Sequence, residues 1–121
     1  MTRLNISSGK PYEEVFGYSR AVRVGNQVHV AGTTAPGPDA YEQAKAILQI
    51  IGTALAEAGS SFEDVVRTVT YVTDIKDADL VARAHHEVLG KVKPAATMVQ
   101  VTALVSPELT VEIEAYAVDP A

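Results

Sequence analysis

Apolar residues recur between positions 41 and 58 at alternating steps of three and four: Tyr41, Ala44, Leu48, Ile51, Leu55 and Ala58. This period puts them on one face of a helix. Asp39 stands where an N-cap belongs, Glu42 follows three residues later as in a capping box, and Gly59 marks the stop. A second helical stretch runs from Asp77, its expected N-cap, to Gly90, with Ala78, Val81, His85 and Val88 on one face; Pro94 blocks continuation. Extended stretches are expected at Arg20 to Val24 and Gln27 to Thr33, joined by the hairpin signal Gly25-Asn26. Others are expected at Val65 to Thr73, Thr97 to Ala103 and Leu109 to Val118. The predicted order is β-β-α-β-α-β-β. Two amphipathic helices can cover one face of one sheet, which makes a two-layer α+β sandwich. Val, Thr, Tyr and Ala recur on both parities of several strands, so the second sheet face is not plainly polar. A subunit contact would cover such a face, and an oligomer is expected.

At 121 residues the chain has room for one domain, 1–121. No apolar run approaches the roughly 20 residues of a membrane helix, and Met1 to Asn5 lacks the apolar stretch of a secretory signal. Cysteine is absent, which excludes disulfides, thiolate nucleophiles and Cys-ligated metals. Composition suits a cytoplasmic protein. The net charge of −5, the lack of tryptophan and the small aromatic content of 6% argue against a large nucleic-acid surface.

Few residues suggest chemistry unaided. In the last strand Leu109, Val111, Ile113, Ala115 and Ala117 point one way, and Thr110, Glu112, Glu114 and Tyr116 the other. Glu112 and Glu114 therefore share a face at roughly 7 Å. A shielded carboxylate there can position water or accept a proton, but from spacing alone a solvated sheet face is the favoured reading. His85 and His86 are adjacent and so lack the i, i+4 spacing of a helical zinc pair. His85 reads as a satisfied, half-buried histidine and His86 as a shoulder or surface residue; His29 reads as cross-strand packing. Three scattered histidines without cysteine make a poor metal site, and none is expected. No serine elbow, phosphate loop or dinucleotide fingerprint occurs. Arg20 and Arg23 lie three apart, on opposite faces; one could reach a pocket, but snorkelling surface arginines are the expectation.

Several blocks together carry a resemblance. Lys93-Pro94-Ala95-Ala96-Thr97-Met98-Val99 and the later Val111-Glu112-Ile113-Glu114-Ala115 resemble the C-terminal signature of the Rid (YjgF, reactive intermediate deaminase) family. Gly17-Tyr18-Ser19-Arg20-Ala21-Val22 and Val30-Ala31-Gly32-Thr33 resemble its upstream blocks, and the helix ending in Ala58-Gly59 before Phe62 fits as well. The resemblance implies a chorismate-mutase-like fold and a homotrimer, whose three sheets form a central barrel with ligand clefts between subunits. It also implies hydrolysis of imines and enamines to a carbonyl compound and ammonia, without a cofactor. Carried over by position, Glu112 corresponds to the carboxylate that places water. The ligand-binding positions are Tyr18, Gly32, Thr33, Ala96 and Thr97. Thr33 replaces a glutamine of the family pattern, Ala31 replaces a serine, and Ala96 replaces the arginine that grips a substrate carboxylate in deaminating members. Losing such a charge-assisted pair costs on the order of 2–5 kcal/mol in binding. A branch of the family carries threonine or alanine at this position.

Two readings follow from the resemblance. One is an imine deaminase whose substrate lacks an α-carboxylate, or holds it through Arg20, Lys93 or a neighbouring subunit. The other is a non-catalytic trimer that binds a small metabolite or a protein partner. An endoribonuclease role, a label some relatives carry, ranks behind both on grounds of charge.

Overall fold

The hairpin signal forms the turn it predicts. Gly25 has φ 59°, the first central position that a II′ turn reserves for glycine, and Val24 pairs with Gln27 across it. In the computed structural model, which describes residues 2–120, the elements are β1 (Arg3–Ile6), α1 (Pro11–Phe16), β2 (Ala21–Val24), β3 (Gln27–Thr33), α2 (Ala40–Glu57), β4 (Val65–Val72), α3 (Ala78–Leu89), β5 (Ala95–Gln100) and β6 (Val111–Val118). One six-stranded sheet takes the order β1-β2-β3-β6-β4-β5. All neighbours are antiparallel except β4 and β5, which run parallel across the α3 crossover. The α+β architecture is the one expected, with a strand and a short helix added before it.

α2 begins and ends as its sequence dictates. The Asp39 carboxylate accepts from the Glu42 N–H at 2.8 Å. Gly59, at φ 81°, closes the far end while the Ser60 N–H donates back to the Leu55 carbonyl at 2.8 Å. α3 is entered differently from the expectation. Asp77 makes no side-chain cap; a 3₁₀ turn over Ile75–Asp77 leads in, and the Asp74 carboxylate accepts from the Lys76 N–H at 3.0 Å. Gly90 ends α3 at φ −61°, so handedness is not its reason: a Cβ there would collide with the His86 carbonyl and ring.

Ala44, Ile47, Leu48, Ile51 and Leu55 of α2 and Val81 and Leu89 of α3 lie fully buried against Val28, Val30, Val72, Val111 and Ile113 of the sheet. Each of the larger side chains contributes about 1.5–3 kcal/mol by leaving water. β4 explains why both parities of the chain look apolar. Val65 pairs with Ala117 and Arg67 with Tyr116, so one residue is extra. Beyond that bulge Thr68, Thr70 and Val72 face the helices, while Val66 and Arg67 both lie outward. His29 packs edge-on against its cross-strand partner Tyr116, with ring centroids 5.4 Å apart, as the sequence suggests. Among the described residues no helix is long and apolar enough to cross a membrane.

The segment between β5 and β6 is tied to α2 by one buried amide. Gln43, 2% exposed, donates to the Gly37 carbonyl at 3.1 Å and the Glu108 carbonyl at 3.0 Å; its oxygen accepts from the Thr110 N–H at 2.9 Å. Gln43→Leu keeps the volume and strands three backbone groups. It should destabilise the fold by about 2–4 kcal/mol, read as a lower urea midpoint with an unchanged slope.

Candidate active site

The site is built where β3 leaves its register. Val30 pairs with Ala115, but the next pair is Thr33 with Ile113, so Ala31 and Gly32 form a bulge opposite one residue of β6. The bulge returns Thr33 to the buried side, 1% exposed, and sets Gly32 against Glu112. A methyl group built on Gly32 would fall inside the Glu112 carboxylate. Glycine stands here because the acid needs the space, which is a close-approach requirement and not a turn requirement.

The two glutamates of β6 have separate fates. Glu114 accepts from the Tyr71 hydroxyl at 2.6 Å and, through its other oxygen, from the Tyr116 hydroxyl. These bonds favour the protonated phenols and push the Tyr71 pKa up to about 12. Glu112 has no side-chain hydrogen bond among the described residues. Burial, foremost, and then the neighbouring charge of Glu114 raise its pKa above the ordinary carboxylate value, with the Arg20 guanidinium opposing them. A half-buried carboxyl with raised pKa, free of partners and facing a cavity, suits proton transfer and water placement.

That cavity, about 540 Å³, is walled by Tyr12, Phe16, Tyr18, Ala31, Gly32, Thr34, Val105 and Glu112. The aromatic wall comes from α1. Tyr12 and Phe16 sit four residues apart and stack at 6.0 Å; Gly17, at φ 88°, turns the chain so that Tyr18 meets both rings edge-on, at 6.5 and 5.7 Å. Glu13 anchors the helix: buried, it accepts from the Ser7 hydroxyl at 2.9 Å and from the Ser8 hydroxyl and N–H, and the Ser8 hydroxyl is the main cause of its lowered pKa. Sequence reasoning missed α1, although Pro11 at its start and Gly17 at its end are the usual punctuation.

Arg20 corrects an expectation. It is 8% exposed, not a surface arginine, because it reaches inward along the bulge. Its Nη1 donates to Thr33 Oγ1 at 2.8 Å and its Nη2 to the Tyr18 hydroxyl at 3.1 Å, while Nε is buried with no acceptor. Tyr18, Gly32, Thr33 and Glu112 are thus brought together.

Ala96 and Thr97 are not. They lie on β5, the edge strand, separated from β6 by β4, and Thr97 accepts from Arg67 Nη2 at 3.0 Å. They line a second cavity of about 570 Å³, under α3, with His85, His86, Lys93 and Met98. His85 is half-buried, 2.9 Å from Thr68 Oγ1, and burial pushes its pKa down; His86 is exposed, both as expected. Among the described residues no three His, Asp or Glu side chains are grouped to hold a metal.

A family model described as Endoribonuclease L-PSP matches residues 10–119. An uncharacterised protein of Streptomyces coelicolor is 40% identical, over 92% of this chain and 90% of its own. The human 2-iminobutanoate/2-iminopropanoate deaminase is 30% identical, over 98% and 91%. A crystal structure of a Mycobacterium tuberculosis member of the highly conserved YjgF family superposes with a TM-score of 0.95 at 49% identity, covering 97% of this chain and 99% of that one. The chain belongs to the YjgF/Rid family. The sheet-and-helix layers described above are accordingly the chorismate-mutase-like fold of that family, and the family includes named imine deaminases.

Within this Rid chain the raised Glu112 pKa carries a sign. The folded state holds more protons than the unfolded state from the ordinary glutamate value of 4.5 upward. Stability therefore falls as pH rises through that window and levels off above the folded pKa. Glu112→Gln removes this loss. Its stability advantage over the parent should be larger at pH 7 than at pH 4 in urea unfolding; an advantage independent of pH would show an unshifted carboxyl.

Proposed function

We propose that the chain is a cofactor-independent imine or enamine deaminase, releasing a carbonyl compound and ammonia, with a substrate range altered by Ala96. The observation that carries this reading is Glu112: half-buried, unbonded and raised in pKa over a cavity that Gly32 keeps open. Imine hydrolysis needs a protonated nitrogen and a positioned water. A carboxyl of raised pKa can give a proton to the imine nitrogen and, once ionised, align the attacking water. Tyr18 lines the cavity beside it and is held, through Arg20, to the buried Thr33. Kinship with the iminobutanoate deaminases supports the reaction class.

We also propose a homotrimer with a small-molecule ligand in clefts between subunits. Ala96 and Thr97 stand on the edge strand β5 and line a different cavity from Glu112 on the interior strand β6, so a cleft using all the candidate residues needs a second copy. The outward Val66 and Val99 are 48% and 41% exposed in the single chain, which supports burial in an assembly. A trimer that binds without turnover draws on a different fact, that the family's carboxylate-gripping arginine is Ala96 here.

Ammonia release from enzymatically generated 2-iminobutyrate separates the two. Turnover is expected, and Glu112→Gln should lower it about 10²–10⁴-fold while the protein stays folded. Absence of turnover on that substrate and on bulkier imines would favour the binding-only trimer. Light scattering at micromolar concentration should give three times the chain mass; a monomer would remove the shared cleft.

A further inference from the structure

We infer that Arg20 holds the anionic end of the ligand, and that this cleft takes a small carboxylate with a bulky apolar or aromatic side chain. The inference rests on the reading of the Glu112 cavity as the ligand site and specifies what enters it.

Arg20 is a buried cation with no carboxylate in ion-pair contact; the charges of Glu13 and Glu112 act on it only from farther away. Among the described residues the ion pair is Arg23 with Asp119 at 3.0 Å, and no carboxylate stands within that range of Arg20. Its terminal nitrogens bond neutral oxygens of Thr33, Tyr18 and Gly32, and Nε bonds nothing. Such contacts orient a guanidinium but do not neutralise it. Burying a charge in that condition is unfavourable unless something completes it. The planar fork is shaped for a carboxylate.

The space around it is suited to that partner. A cavity of about 360 Å³ has in its wall two cations, Lys10 and Arg20, and four hydroxyls, Ser8, Tyr18, Thr33 and Thr34, with no acid lining it. It meets the 540 Å³ cavity along Tyr18, Gly32 and Thr34, which line both. On the far side the wall turns apolar and open: Tyr12, Phe16 and Val105 are 51%, 71% and 70% exposed. A ligand lying across the shared rim sets its carboxylate toward Arg20 and its side chain against the aromatic wall. Its nitrogen falls beside Glu112. The positive charge missing at position 96 is thereby supplied from the other end of the sheet.

Isothermal titration calorimetry with three probes tests this: phenylpyruvate, the neutral ketone phenylacetone, and the smaller acid 2-oxobutyrate. The parent protein should bind phenylpyruvate at least about tenfold more tightly than either of the others. Arg20→Gln should bring phenylpyruvate down to the affinity of the ketone, and Arg20→Lys should recover part of the loss. Phe16→Ala, at an exposed position, should bring it down to the affinity of 2-oxobutyrate while keeping the preference for acid over ketone. Equal binding of acid and ketone by the parent, or a folded Arg20→Gln that still prefers the acid, overturns the proposal. If Arg20→Gln fails to fold by circular dichroism, the parent's acid-to-ketone ratio and Arg20→Lys decide. Acid preference without ammonia release defeats the deaminase reading alone; turnover without acid preference defeats this one alone.

Discussion

Between Val30 and Thr33 strand β3 advances three residues while β6 advances two, and the misfit is absorbed at Ala31 and Gly32. Most of the site follows from that slip. It returns Thr33 to the buried side, where its hydroxyl accepts from Arg20. It brings backbone without a Cβ against Glu112, so the carboxyl can sit over the strand instead of swinging to solvent. It also opens the ladder at the sheet end that α1 covers. A regular β3 would present alternating side chains along its whole length.

Strand β6 shows how two chemically identical groups are given separate surroundings. Glu114 is held by the hydroxyls of Tyr71 and Tyr116. Its charge is nonetheless near enough to raise the pKa of Glu112, two residues away on the same face. Arg20 works against that rise from the opposite side. The result is one carboxyl hydrogen-bonded to two phenols and one without a side-chain partner among the described residues, with burial as the main cause of its raised pKa.

The helices and the four strands of the core were legible because their signals are periodic and local: the Ala44–Leu55 face, the Asp39 cap, the Gly25 turn and the alternation of Val111 to Ala117. The N-terminal strand β1 was not, since Arg3–Ile6 buries one residue and pairs only at an edge. α1 is six residues long, too short for a period to show, and its apolar residues face a cavity and not the core. Tyr18, Gly32 and Glu112 could be named from family resemblance, but their proximity depends on a bulge that no spacing rule announces. Arg20 was misjudged for a related reason. Its burial comes from partners 12 and 13 residues away, Gly32 and Thr33, which the register shift places in reach.

The Gln43 amide links helix to cleft in another sense. Its three backbone partners belong to segments on either side of α2, and through Glu108 and Thr110 it fastens the loop that carries Val105 to the cavity wall. Loops of this length ordinarily breathe on their own, with opening free energies far below that of the whole domain. Here a buried amide in the first turns of α2 ties that loop to the core at Glu108 and Thr110. Loosening of this loop is thus coupled to the loss of a buried hydrogen-bond set in the core, and a substitution at Gln43 reaches the cavity wall without lining it.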